Sequence, residues 1–348
     1  MSFRSIFGFP FAVLYGFITD FRNLLFRMGI RRERRFETPI ICVGNLSTGG
    51  TGKTPHVDYL IGLLKDKYLV ATLSRGYKRK TRGFILADSQ STVHEIGDEP
   101  LQFHMRHPDA LVAVDEKRVD GIKKLLAQQP PPDVIILDDA FQHRQVKAGL
   151  SILLTDYFSR YTKDFILPSG NLRESRKGAK RADIIVCTKS PKIFSPIERK
   201  SLVAEIPTKS NQRLFFSYID HSDFTPMYAN TPPMPFKDIT TILCFSGIAN
   251  PTPLEEYLKR RCTELIPVRF PDHYQYSLKN IQELLKNFDN IVRKNRIIVT
   301  TEKDAMRLKG IEFEKTFEHY PIYFISIGVD FHKADKPLFD QTILDYVG

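Results

Sequence analysis

The stretch Ile40-Ile41-Cys42-Val43-Gly44-Asn45-Leu46-Ser47-Thr48-Gly49-Gly50-Thr51-Gly52-Lys53-Thr54 constrains this chain more than any other. A short apolar run leads through a glycine-rich turn into a lysine-threonine pair that opens a helix. This is the [AG]-x-x-x-x-G-K-[ST] grammar of a phosphate-binding P-loop. In such a loop backbone N–H groups turn inward as an anion nest, and the helix N-terminus adds partial positive charge. Ser47, Thr48, Gly49, Gly50, Thr51 and Gly52 would cradle the phosphates. Lys53 would reach the β- and γ-phosphates, and the Thr54 hydroxyl would ligate Mg²⁺. The first motif position departs from the pattern, since it holds Ser47 rather than glycine.

A second signal follows in order. Val134-Ile135-Ile136-Leu137 runs into Asp138-Asp139. An apolar strand ending in an aspartate is the Walker B arrangement, in which one carboxylate holds Mg²⁺. The tail, Ala140-Phe141-Gln142-His143-Arg144, puts polar side chains beside that position. A guanine-reading element, [NT]-K-x-D, is missing: Thr188-Lys189 is followed by Pro191 where the Asp should stand, and Thr301 to Asp304 has an extra residue.

Strand and helix patterns alternate along the chain. Residues 54–67, 119–128 and 281–294 read as helices, and residues 68–74, 110–114, 151–155, 183–187, 240–245, 265–270, 296–300 and 322–327 as strands. The expected fold is α/β: a P-loop NTPase-type parallel sheet flanked by helices, a second smaller α/β domain, and an N-terminal amphipathic helix. A composition shift near residues 206–213 and a proline-rich stretch at 225–237 put the boundaries at 1–35, 36–208 and 209–348.

The first segment is unusual. Residues 5–19 carry no charge and are rich in Phe, but Asp20 and Arg22 interrupt the run before the ~20 apolar residues that a spanning helix needs. Leu14, Phe17, Ile18, Phe21, Leu24, Leu25 and Met28 recur at helical spacing, and Arg27, Arg31, Arg32, Arg34 and Arg35 follow. A helix lying in an anionic membrane surface suits this pattern better than one packed wholly on the core. The net charge of +11 likewise implies anionic partners. The four cysteines form no CxxC pair and read as buried free thiols.

A P-loop with a Walker B strand leaves kinase, GTPase or metallochaperone, and nucleic-acid-stimulated ATPase open. A kinase needs a base near the acceptor hydroxyl, and Asp98 and His273 are candidates for a proton-relaying pair. An N-cap is the ordinary explanation for Asp98 in Gly97-Asp98-Glu99-Pro100.

Taken together, the segments resemble the tetraacyldisaccharide 4′-kinase family, the lipid A kinases of Gram-negative bacteria. The likeness rests on Val43-Gly44-Asn45 with the P-loop, Ser74-Arg75-Gly76-Tyr77, Gly97-Asp98-Glu99-Pro100, Asp138-Asp139-Ala140-Phe141-Gln142-His143, Leu172-Arg173-Glu174, Phe270-Pro271-Asp272-His273 and Thr301-Glu302-Lys303-Asp304-Ala305. The resemblance implies ATP and Mg²⁺ as cofactors. It also implies transfer of the γ-phosphate to the 4′-hydroxyl of a tetraacylated glucosamine disaccharide 1-phosphate at the cytoplasmic face of the inner membrane. It makes Asp98 the catalytic aspartate, with His273 of the smaller domain as its partner. Lys53 and Arg173 would offset phosphoryl charge, while Thr54, Asp138 and Glu174 would hold Mg²⁺. Arg75, Arg118, Gln142, His143 and Asn171 would face the lipid headgroup. The basic balance then needs no nucleic acid.

Overall fold

The structure is a computed structural model that describes residues 3–232, 239–248, 250–272, 274–308 and 311–348. His273 therefore lies outside the described residues. The strands are β1 (Ile40–Asn45), β2 (Val70–Ser74), β3 (Ile85–Leu86), β4 (Leu111–Val114), β5 (Val134–Asp138), β6 (Leu150–Asp156), β7 (Ile184–Thr188), β8 (Arg213–His221), β9 (Thr225–Pro226), β10 (Thr241–Ser246), β11 (Glu264–Arg269), β12 (Arg296–Thr301), β13 (Ile322–Ile325) and β14 (Ile327–Phe331). The helices are α1 (Phe3–Arg27), α2 (Lys53–Leu64), α3 (Val93–Ile96), α4 (Asp98–Arg106), α5 (Arg118–Leu126), α6 (Pro196–Glu205), α7 (Thr252–Lys259), α8 (Leu278–Asp289), α9 (Glu302–Arg307), α10 (Ile311–Phe317) and α11 (Lys336–Val347).

Two units divide the chain: Met1–Asp220 with Gly328–Gly348, and His221–Ile327. The first holds a sheet in the order β14-β8-β7-β6-β1-β5-β2-β4-β3. β1 lies between β5 and β6 and pairs in parallel with both. All six of its residues are buried. Ile41 and Val43 pack with Val57, Leu60 and Ile61 of α2, while Ile40 and Cys42 pack with Ile122 and Leu125 of α5 on the opposite face. A strand covered on both faces must be apolar throughout, which is why it shows no alternation. Burial likewise pushes the Cys42 thiol up to about 12, so it is inert.

The second unit repeats the plan at smaller scale, with the sheet order β11-β10-β12-β13-β9. β10 pairs in parallel with β11 and β12. Leu243 and Phe245 meet Ile281, Leu284 and Phe288 of α8, and Ile242 and Cys244 meet Leu254 and Leu258 of α7. Part of the proline-rich stretch is strand, because Thr225 and Pro226 pair antiparallel with β13.

The division differs from the 208/209 boundary expected from composition. β8 pairs in parallel with β7, from Ile184↔Arg213 onward, and so completes the first sheet. The chain then returns after the second unit, where α11 seats Phe339 and Ile343 in the first unit's core.

Among the described residues, no helix is long and apolar enough to cross a membrane. On α1 the buried positions among the described residues are Ala12, Gly16, Thr19, Asn23 and Phe26. The apolar stripe points the other way: Phe11 is 67% exposed and Phe17 71%, with Leu14, Ile18, Phe21 and Met28 also out. Small side chains on the inner face let α1 lie close, and a Cβ at Gly8 would come within 3.1 Å of the Ser169 nitrogen.

Candidate active site

The carboxyl ends of parallel strands flanking a topological switch form the ligand crevice of open α/β sheets. β1 occupies that place, and its end becomes the glycine-rich turn. Gly49 and Gly52 take φ of +116° and +87°, a region that side chains other than glycine's strain to enter. Gly52 caps α2 in the left-handed conformation, and Lys53 and Thr54 follow in the first turn.

The turn is held from outside. The Asn45 amide donates to the Thr51 hydroxyl at 2.8 Å. The Thr48 N–H and hydroxyl both donate to the Asn171 carbonyl, at 2.7 and 3.2 Å. The Arg173 N–H donates to the Leu46 carbonyl at 2.7 Å. The segment 171–173 thus runs antiparallel along the P-loop and delivers Arg173 to it.

His56 supports the helix start. Its Nδ1 lies 2.6 Å from the Gly52 carbonyl, which can only accept, so Nδ1 carries the hydrogen and Nε2 accepts from the Ser217 hydroxyl at 2.9 Å. Burial lowers the His56 pKa to about 4. Because the folded value lies below the ordinary 6.5, the unfolded chain binds the proton more readily between these pH values. Stability is therefore intact above pH 6.5 and is lost as pH falls toward 4, by roughly 3 kcal/mol for this group alone. Thermal unfolding from pH 7 to 4 should show a steeper fall for the wild type than for His56→Gln. Parallel profiles would exclude His56 as the titrating group.

Asp138 ends β5 in register with Val43. It is buried; the Ser74 hydroxyl donates to Oδ2 at 3.3 Å, and Oδ1 has no hydrogen-bond partner among the described residues. Burial, helped by the adjacent Asp139 charge, raises its pKa to about 6. A buried carboxylate oxygen without a donor is costly unless something positive fills the place. It fits a hard, oxygen-ligating divalent cation. Asp139, at φ +48°, faces a different way. Its carboxylate accepts from Arg173 Nη1 at 3.0 and 3.1 Å and pairs with Lys53 Nζ at 3.6 Å. Although burial opposes ionisation, the Lys53 and Arg173 charges hold Asp139 below the usual carboxylate range.

Glu174 departs from the expected metal role. It is fully buried, and its two oxygens accept from four donors: Gln142 Nε2 at 3.0 Å, Arg181 at 2.8 and 2.9 Å, and Asn23 Nδ2 at 2.9 Å. A carboxylate so saturated has no lone pair to turn toward a cation. Gln142 is likewise engaged inside the protein, since its amide also donates to the Asn45 carbonyl at 2.8 Å.

Asp98 is buried at the first position of α4, but the capping residue is Gly97, so Asp98 does not fill the expected N-cap place. The Glu99 charge is felt at Asp138, which puts the start of α4 on the side of the aspartate pair. Arg75 is exposed at the end of β2. Arg118 is buried, donating to the Asp115 carbonyl and, at 3.5 Å, to the Asp138 carbonyl. Burial, and the charges of Arg118, Arg75 and Arg22, lower the His143 pKa to about 4. A neutral imidazole thus sits in a cationic surround.

Several contributors were not assigned to the site from the sequence: Asn23 and Arg22 of α1, His56, Arg181, and the pair Thr188-Lys189, which the sequence offers only as a rejected guanine element and which touches the P-loop. Only Thr188-Lys189 carried a signal, as the first half of the guanine element. The Tyr15 hydroxyl also donates to the Arg173 carbonyl at 3.1 Å, so α1 lies directly on the loop that carries Arg173.

Comparisons with known proteins bear on the family and the fold. The family model for LpxK, tetraacyldisaccharide-1-P 4′-kinase, matches residues 4–347. The tetraacyldisaccharide 4′-kinase of Flavobacterium johnsoniae is 47% identical over 341 residues, covering 97% of this chain and 96% of that protein. That of Flavobacterium psychrophilum is 44% identical over 351 residues, covering 100% and 98%. Among solved structures, "apo" form LpxK from Aquifex aeolicus in complex with ATP superposes with a TM-score of 0.73 at 30% identity, covering 98% of each chain. This chain therefore belongs to the tetraacyldisaccharide-1-P 4′-kinase family.

Proposed function

We propose that this chain transfers the γ-phosphoryl group of ATP to the 4′-hydroxyl of a tetraacylated glucosamine disaccharide 1-phosphate. The observation that carries phosphoryl transfer is the convergence of Lys53 and Arg173 on Asp139, with Arg173 hydrogen-bonded into the P-loop itself. Two cations beside a phosphate nest suit charge on a transferring phosphoryl group. Family membership supplies the acceptor. The guanine-specific alternative has no support, since Pro191 stands where the base-reading Asp would be.

Each side chain then has a role. Lys53 and the glycine-rich turn of residues 47–52 bind the phosphates. Thr54 and Asp138 would hold Mg²⁺, which supplies charge neutralisation on the nucleotide when bound. Asp98 takes the proton from the acceptor hydroxyl. Arg75, Arg118, Arg22 and neutral His143 form the cationic surround for the phosphorylated headgroup. Incubation with Mg-ATP and tetraacyldisaccharide 1-phosphate should yield a bis-phosphorylated lipid; ATP hydrolysis with no such product would overturn the acceptor assignment.

The outward face of α1, with Arg27, Arg31, Arg32, Arg34 and Arg35 exposed behind it, rests on an anionic membrane surface, and the protein is peripheral at the cytoplasmic face of the inner membrane. Exchanging Phe11, Phe17 and Phe21 for serine removes apolar area worth roughly 1.5–3 kcal/mol each. Sedimentation with anionic vesicles should show binding weakened at least about 100-fold. Undiminished binding would assign that face to something other than lipid.

A further inference from the structure

Thr188-Lys189 begins a base-reading element that Pro191 leaves unfinished, yet the structure folds these two residues onto the P-loop. We propose that Lys189 is a positioning residue for the nucleotide: its ammonium, charge-balanced by Asp156, anchors the Gly50 carbonyl and so orients the phosphate-binding turn. The inference rests on the reading of this loop as an ATP site.

The brace is built at two neighbouring strand ends. Asp156 closes β6 and Thr188 closes β7, and the two are paired in parallel register. Lys189 then adopts φ +59°, a left-handed conformation that residues with side chains avoid unless their surroundings demand it. The turn sends its side chain back over the P-loop, where Nζ lies 2.5 Å from the Gly50 carbonyl and 2.7 Å from Asp156 Oδ2. Asp156 is itself held, because its Oδ1 accepts from the Phe158 and Ser159 N–H groups at 2.8 and 3.2 Å. Next door, the Thr188 hydroxyl donates to the Thr51 carbonyl at 2.9 Å. Two consecutive residues thus hold two consecutive P-loop carbonyls.

Packing does not hold this part of the turn. A Cβ built at Gly49 or at Gly50 would meet no atom within 4 Å. With open space around it and glycine's freedom within it, the turn takes its direction from hydrogen bonds. In a trans peptide the carbonyl and the next N–H point opposite ways. Anchoring the carbonyls of Gly50 and Thr51 therefore sets the directions of the Thr51 and Gly52 N–H groups, and with them the shape of the turn. The Thr51 N–H itself rests on the Gly49 carbonyl at 3.0 Å. A loop free to rotate would have to be ordered when ATP binds, and its affinity would fall accordingly.

The test is ATP affinity without lipid, by displacement of a fluorescent ATP analogue from wild type, Lys189→Met and Lys189→Arg. Methionine keeps the stem and removes the charged donor; arginine keeps both charge and donor. Loss of a charge-assisted hydrogen bond should weaken ATP by about tenfold in Lys189→Met. Lys189→Arg should stay within about threefold of wild type. The ligand-free melting midpoint should move by no more than about 2 °C, since an ion pair near the surface, with Lys189 32% exposed, adds little stability. In turnover the loss should appear in KM for ATP, with KM for the lipid unchanged. Unaltered ATP affinity in Lys189→Met, or an equal loss in Lys189→Arg, overturns the inference. A wild-type protein that binds ATP but makes no bis-phosphorylated lipid would sink the acceptor assignment and leave this inference standing.

Discussion

Replacing Arg173 with alanine should lower kcat by about 10³–10⁵, the range found when a charge-stabilising arginine is removed from a P-loop phosphoryl-transfer site. The backbone of Arg173 is tied to Leu46 and its carbonyl to Tyr15, so the segment keeps its place when the side chain is cut. Its side chain is 29% exposed, and the guanidinium pairs with Asp139. An ion pair of that exposure is worth at most about 1 kcal/mol to folding. A structural role would therefore show as a small fall in melting temperature with activity largely kept. A transition-state role would show as a collapse of kcat with ATP affinity within about threefold. The substitution Arg173→Lys keeps the charge but not the two-oxygen geometry, and it should recover only part of the rate.

Asp98→Asn should cost about 10²–10⁴ in kcat, the usual weight of a positioned general base. Asparagine keeps the size and removes the basicity. If Asp98 served only the helix N-terminus, the change would cost roughly 0.3–1 kcal/mol of stability and leave turnover alone. Rapid-quench turnover beside thermal unfolding separates the two. Full turnover in the Asn variant would remove Asp98 from the proton path.

Much of the site was legible because its strongest parts are local. The P-loop and the Walker B aspartates each declare themselves over a few consecutive residues. The strand before each reads as unbroken apolar sequence, since both faces of β1 and β5 are covered. Periodicity on α1 likewise marks an amphipathic helix. It does not say which face turns inward. The apolar stripe proved to be the outer one, and the packed face carries Ala12, Thr19 and Asn23, suited to close approach and, through Asn23, to a hydrogen bond with Glu174.

Glu174 shows where local reading ends. Beside Arg173 it looks like a free carboxylate near a cation site. Only the fold brings Asn23, 151 positions away, and Gln142, 32 positions away, to join Arg181 on the same carboxylate, and their donors use up both oxygens. The same holds for Lys189, which lies 139 positions from the carbonyl it anchors.

What the sequence by itself determined is the chemistry available: a phosphate nest, a lysine to enter it, an aspartate beside it, and an α/β alternation able to present them. Strand and turn signals depend on neighbours a few residues apart, and those survive in a linear text. What only the tertiary structure decided is which charged groups are saturated and which remain for the substrate. Asp139 takes Lys53 and Arg173, Glu174 takes four donors, and Asp138 keeps one buried oxygen without a donor among the described residues. Hydrogen-bond satisfaction is a property of groups gathered in space, and segments far apart in the chain do the gathering.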